Sequence, residues 1–225
     1  MSHLRDTWMR SGRYNPVYNE EMINKYGRRT IAYVIGLSIL ALGIALAIRA
    51  GLGTGAWDAL YVGFYGLFGL TVGSWVIIVG FILVLINALL LWERLDWLAL
   101  GTLLLLGVVL DGWLLVITWE PTLFWQQGGL FLISMFVISL GVATYLQANF
   151  APTSVDKLMY AIHTRTGFSL RLSKTIGEVI ALVIAWLIGG PIGIGTVMIT
   201  FLVGPLVQFF LKVVGPLFTS PMKEV

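Results

Sequence analysis

Residues Gly51–Gly69, GLGTGAWDALYVGFYGLFG, decide how the whole chain is read. The stretch is apolar but carries Asp58, which leaves too few clean residues for a crossing. At 1.5 Å per residue, about 20 residues are needed to traverse the roughly 30 Å hydrocarbon layer. As a crossing it would turn everything after it to the opposite side. As a short helix that dips in and returns, or lies at the interface, it leaves the sides unchanged. Asn149–Phe168 (NFAPTSVDKLMYAIHTRTGF) poses the same question, with Asp156, Lys157, His163 and Arg165 inside it. Those charges argue against a lipid-facing span.

Composition sets the frame for that choice. Of 225 residues, 58% are hydrophobic and 11% charged, and the mean hydropathy is +0.92. A soluble domain carries about twice that charged fraction. The balance excludes a soluble enzyme domain, a disordered chain and a nucleic-acid binder, despite a pI near 9.3. Cys is absent and His occurs only at His3 and His163, so no thiolate or histidine metal centre is expected and no cofactor is implied.

Six apolar runs are read as crossings: Ile31–Ile48, Val72–Trp92, Trp97–Trp119, Gly129–Leu146, Ile176–Gly189 and Val197–Leu211. The first 29 residues are polar and basic, without an apolar stretch, and are neither signal peptide nor span. With six crossings and the N-terminus inside, Arg5, Arg10, Arg13, Lys25, Arg28, Arg29 and Arg94 are cytoplasmic. So are Lys157, Arg165, Arg171, Lys174, Lys212 and Lys223. Of the 14 basic residues only Arg49 is then outside, as the positive-inside rule requires. If Gly51–Gly69 alone crossed, the Lys157–Lys174 cluster would move outside and the rule would fail. Trp92 and Trp97 at one level, and Trp119 and Trp125 at the other, suit the two aromatic belts.

A shift of 98 residues sets Leu42-Gly43 on Leu140-Gly141, Asp58 on Asp156 and Gly69 on Gly167. After a small deletion, Gly101-Thr102 falls on Gly195-Thr196. Each half reads as a long helix, a broken loop, a short helix with an early Asp, a long helix, then a helix opened by Gly-Thr. The apolar stripes Trp57, Leu60, Tyr61, Phe64 and Val155, Leu158, Met159, Ile162 share the helical i, i+3, i+4, i+7 spacing. Three crossings per half make the second half enter from the opposite side. The chain is therefore expected to be all-α, six transmembrane helices plus two short re-entrant or interfacial helices, arranged as two inverted repeats. Its divisions are a cytoplasmic segment at 1–29, repeats at 30–119 and 128–213, and a tail at 214–225. Inverted repeats with interrupted segments in matching positions point to a transporter-like site near the midplane. The alternative is an ancient duplication that kept the fold without a transport cycle.

The chain resembles the YitT/YczE family of bacterial integral membrane proteins. The resemblance lies in Gly51–Asp58, Asp156-x-Leu158-Met159, Arg165-Thr166-Gly167 and Lys174-x3-Glu178. It continues through Gly189-Gly190-x2-Gly193–Thr196 and Gly204-Pro205, and covers roughly residues 30–210. It implies a fold and a membrane location rather than an activity. Two places depart from the family pattern. Asn149-Phe150-Ala151-Pro152 stands where a glycine-richer loop is common, and Gln208 stands where an acid often closes the last helix.

Four acids are candidate solute-binding residues. Asp58 and Asp156 fall in the opening turns of the short helices, with Thr54 as a cap of the first and Thr153 or Ser154 of the second. There an acid is favoured by the helix dipole alone. The functional reading is a pair of related acids on one polar cavity, taking a cation, a proton or an amine. Glu178 and Asp111 sit inside apolar spans, where a carboxylate costs at least ~2.5 kcal/mol and should face protein, water or a partner. Lys174 at i−4 offers Glu178 an ion pair, whereas the helix of Asp111 offers it nothing. Arg49 either snorkels or pairs with Asp58. Gln147, Asn149 and Tyr145 are expected to line the broken region of the second half, and His163 and Arg165 to serve topology. The Gly-rich loops lack the Lys and the strand-to-helix context of phosphate loops. No hydrolase elbow or metalloprotease helix motif appears, and an enzyme is not expected.

The reading is a secondary-transporter-like carrier of the bacterial inner membrane, both termini cytoplasmic, binding a small solute between its halves with proton or cation coupling. Assembly into a homo-oligomer is left open. The rival is a membrane scaffold or regulatory protein acting through a cytoplasmic partner on its basic N-terminal 29 residues and the Lys157–Lys174 segment.

Overall fold

The computed structural model describes residues 16–148, 150 and 152–218. Asn149, the outermost part of the expected partner surface at 1–15, and Lys223 lie outside the described residues. Among the described residues, eight helices and no strand are present. They are α1 Pro16–Ala50, α2 Ala56–Phe68, α3 Val72–Leu91, α4 Trp97–Val116, α5 Phe124–Gln147, α6 Ser154–Thr166, α7 Leu170–Leu187 and α8 Ile194–Phe218.

Local chemistry explains most boundaries. Thr71, Asp96, Thr153 and Ser169 are the N-caps of α3, α4, α6 and α7, each accepting the backbone N–H three residues on. Gly69 and Gly167 end the two short helices with φ of 77° and 72°, a left-handed backbone that glycine adopts without strain. α1 begins at Pro16, a residue suited to a first helical turn, and runs well before the apolar stretch that announces it.

The centre is the antiparallel pair α1 and α5, the most extensive helix contact of the fold. A Cβ on Gly36 would sit 2.4 Å from the Tyr145 backbone nitrogen, on Gly43 2.6 Å from that of Ile138, and on Gly141 2.4 Å from that of Leu40. Residue numbers rise in one helix as they fall in the other. In lipid, where apolar surface gives no drive for helices to associate, such backbone contact supplies the packing energy. α3 and α4 meet the same way, since a Cβ on Gly73 would lie 2.0 Å from the Gly107 carbonyl.

Exchanging α1–α4 for α5–α8 carries most neighbours onto neighbours. α2 against α7 becomes α6 against α3, α1 against α4 becomes α5 against α8, and α2 against α3 becomes α6 against α7. The exception is α3 against α4, because α7 and α8 make no comparable contact.

Five helical stretches are long and apolar enough to cross a membrane: Arg29–Ala50, Val72–Leu91, Trp97–Val116, Phe124–Gln147 and Ile194–Pro216. The expected sixth, α7, is not among them. It has 18 residues and carries Arg171, Lys174 and Glu178 in its first half.

Candidate functional site

A cavity of about 570 Å³ lies among the helices, and all eight contribute to its wall. The openings of both short helices face it. Asp58 and Asp156 are each the third residue of their helix and line it together, with Glu178 and Lys174 of α7. Thr153, Ser154, Tyr145 and Gln208 add polar surface, and Trp57, Tyr61 and Tyr160 add aromatic surface. A smaller recess of about 20 Å³, room for a single water, adjoins it at Asp156, Lys174 and Glu178.

The two related acids differ in how they are held. Asp156 Oδ2 accepts from the Thr153 hydroxyl and from the Tyr145 phenol, both at 2.8 Å. Thr153 in turn accepts the Asp156 backbone N–H at 3.2 Å. Among the described residues no hydrogen bond or ion pair reaches the Asp58 carboxyl. The expected Thr54 cap is not formed. Gly55 occupies the N-cap of α2, and Thr54 is 1% exposed with its hydroxyl unpartnered. Its backbone N–H instead donates to Pro191 O at 3.2 Å, which aims the residue at the α7–α8 loop.

Three further expectations are corrected. Asp111 does not line the cavity. Its Oδ1 accepts the Gly73 backbone N–H at 2.7 Å and its Oδ2 the Thr71 hydroxyl at 2.6 Å, so it caps α3 from α4. Arg49 pairs with Glu120, not Asp58, and donates to Leu114 O at 2.7 Å, because the C-termini of α1 and α4 lie side by side. Gln147 is outside the cavity, its amide beside Gly215 of α8. Lys174 and Glu178 stand 3.6 Å apart, both on the wall.

Contacts between the halves lie at two levels of the helix pack. At the Arg49 end, Gly195 N–H donates to Leu52 O at 2.8 Å, and a Cβ on Gly193 would lie 2.5 Å from that oxygen. Gly53 there has a φ of 102°, which only glycine holds readily. At the other end, Lys157 reaches Asp96 at 3.1 Å and Glu93 at 3.3 Å. Asn87, 1% exposed in the middle of an apolar helix, donates to Ser154 O at 2.8 Å. Arg165 caps Leu90 O and lies 5.5 Å over the Trp92 ring. Asn87 was visible in the sequence as a lone amide in a hydrophobic run, the signal that marks a buried polar partner.

Burial works against the Asp96 charge, but the Ala99 N–H and Lys157 outweigh it and hold the carboxyl below its ordinary 3.8. A depressed acid stabilises fully above its unfolded value, and that contribution fades as pH falls through the lower folded value. Lys157→Met is therefore expected to cost about 1 kcal/mol at pH 7, as suits a partly exposed bridge. The difference in thermal midpoint between the two proteins should shrink once the pH falls below 3.8. An undiminished difference at acid pH would show that the lysine acts by packing.

Fold and cavity together define an integral, multi-pass helical membrane protein with a polar internal site. The chain belongs to DUF6198, a family of unknown function, whose profile matches residues 27–212. It is 40% identical to the uncharacterized protein YyaS of Bacillus subtilis (strain 168) over 190 residues, covering 84% of this chain and 94% of that one. It is 34% identical to YczE of the same organism, an uncharacterized membrane protein, over 80% of this chain and 83% of the relative. An uncharacterized Haemophilus influenzae protein is 29% identical over 87% of this chain and 89% of its own length. The likeness to YczE read from the motifs is thus met. No solved structure matches the chain.

Proposed function

We propose that this protein is a carrier that binds a small solute in the cavity between two inverted repeats and exposes it alternately to the two faces of the membrane. The observation that carries the reading is one asymmetry in an otherwise symmetric pack. α3 and α4 are latched through Gly73, Gly107 and Asp111, while their counterparts α7 and α8 stand apart with the cavity between them. Exchanging the two arrangements would close one side of the cavity and open the other, as alternating access requires. Pro205, next to Gly204 on the cavity wall, interrupts the ladder of α8, since proline has no N–H to give, and supplies a place to bend.

The inverted arrangement is supported by the antiparallel α1–α5 contact, in which Gly43 on Ile138 and Gly141 on Leu40 are one contact repeated at a 98-residue shift. α7 serves as the sixth crossing in this reading. Its exposed face, Val179, Ile180, Val183 and Ile184, is apolar, and Lys174 and Glu178 turn to the cavity. The distribution of Lys and Arg supports a cytoplasmic side for the Lys157 end and both termini, in a bacterial inner membrane. Movement of a proton or cation with the solute would use the acids on the cavity wall, and no catalysis is assigned to them.

The absence of cysteine from the natural chain makes the test clean. In intact and permeabilised cells treated with a membrane-impermeant maleimide, Glu120→Cys should react from outside and Arg171→Cys only after permeabilisation. Thr200→Cys, on the cavity wall, should react from both faces. Labelling of Thr200→Cys from one face alone would overturn alternating access.

A further inference from the structure

We propose that the cavity takes an amphipathic organic cation, an amine or quaternary ammonium with apolar substituents, admitted sideways between α7 and α8. This rests on the carrier reading and names the chemical class of its solute.

Charge excludes the opposite class. Asp58, Asp156 and Glu178 face a single cation, Lys174, which already pairs with Glu178. An anion would meet net repulsion, whereas a cation supplies the Asp58 carboxyl with the partner it lacks among the described residues. A bare metal ion fits poorly for a different reason. Such an ion needs several convergent oxygen ligands, and among the described residues no three acidic or histidine side chains converge. The carboxylates are spread across a space of about 570 Å³, the scale of a drug-sized molecule.

The remaining wall suits an apolar body with a positive centre. Trp57, Tyr61 and Tyr160 offer ring faces that attract a cation, and Leu103, Val142 and Val203 offer hydrocarbon contact. An independent mark of a ligand is Ser154. It is 1% exposed, lines the cavity, and its hydroxyl has no partner, which suits a group that hydrogen-bonds an amine. Entry follows from the same gap. α7 and α8 lack the close contact that seals α3 and α4, so the polar wall is reached from the level of the bilayer between two helices whose outer faces are apolar. A solute that partitions into the membrane with its charge near the interface approaches by that route.

The probe is tetraphenylphosphonium, compared with tetraphenylborate, an anion of the same shape, by equilibrium dialysis of the purified full-length protein in detergent. Saturable binding of the phosphonium alone is expected. Asp58→Asn should weaken it at least about tenfold and Glu178→Gln severalfold, while Asp58→Glu stays within about threefold of the natural protein. Equal binding of both ions, or unchanged affinity in monodisperse Asp58→Asn and Glu178→Gln proteins, would overturn the assignment. If neither ion binds while Thr200→Cys still reacts from both faces, the solute class falls and the carrier stands. If the phosphonium binds and that cysteine reacts from one face only, the site stands and the carrier falls.

Discussion

Gly43→Ala and Gly141→Ala each remove most of the folded protein that survives moderate heating, lowering the unfolding midpoint by about 10 °C. The new methyl in either variant lands on backbone rather than on a side chain. It would lie 2.6 Å from the Ile138 nitrogen in the first and 2.4 Å from the Leu40 nitrogen in the second. Overpacking costs about 1–3 kcal/mol when side chains can turn aside. Here no rotamer relieves the clash, so the upper end applies, a large share of a total stability of ~5–15 kcal/mol. For a chain of this size, each kcal/mol moves the midpoint by about 2–4 °C. Gly101→Ala and Gly129→Ala are the matched controls. Both glycines are helical and have nothing within 4 Å of the added atom, so alanine there gains up to about 1 kcal/mol of helix propensity. Size-exclusion chromatography after a heat step, in one detergent, separates the pairs. Equal survival of all four variants would show that α1 and α5 do not touch through their backbones. The two damaging substitutions should also match each other closely, because they are the same contact seen from each half.

Much of this architecture could be read from the chain because its signals are local. The short helices α2 and α6 begin at Ala56 and Ser154 and end at Phe68 and Thr166, each pair 98 residues apart, with the Asp third in both. An apolar stripe at helical spacing, an early acid and a closing glycine all fall within one short window, so periodicity finds them. The start of α7 shows where that logic stops. Counting apolar residues places the run at Ile176, whereas the Ser169 hydroxyl starts the helix by accepting the Leu172 N–H. Polar cavity-facing turns lie ahead of the lipid-facing part. The candidate site was legible to the extent that its residues share a local pattern. Asp58 and Asp156 open their helices onto one cavity, and Glu178 reaches the same wall from the middle of α7. Arg49 and Asp111 were misassigned because their partners are remote in sequence, Glu120 at 71 positions and Thr71 at 40. A hydrophobic period carries no record of which distant end will stand beside a given side chain.

Asp111→Asn is expected to unlatch α3 from α4 without unfolding either. The carboxylate holds the N-terminus of α3 by two hydrogen bonds, from the Thr71 hydroxyl and the Gly73 N–H. Hydrogen bonds to a charged acceptor are worth about 1.5–3 kcal/mol each when well shielded. Part-exposed as these are, and with the amide oxygen of Asn retaining one of them, the loss comes to about 2 kcal/mol. That is roughly a 30-fold rise in the open population. A cysteine at Leu110, fully buried and next to Asp111 in sequence, reads the change, since its maleimide labelling requires the packing around α4 to loosen. Labelling of Leu110→Cys should quicken about 30-fold when Asp111→Asn is added. The same change discriminates between a structural cap and a gate. If Asp111 merely stabilises a helix end, Thr200→Cys on the far wall keeps its balance of labelling from the two faces. If the α3–α4 contact is the closed counterpart of the α7–α8 gap, loosening it raises the share of Thr200→Cys labelled from the Arg49 face. Helix content by circular dichroism should stay at the natural level in either case, because the cap contributes a contact between helices and not the helices themselves. Unchanged labelling at both positions would remove Asp111 from the mechanism and leave the asymmetry between the two helix pairs without a latch.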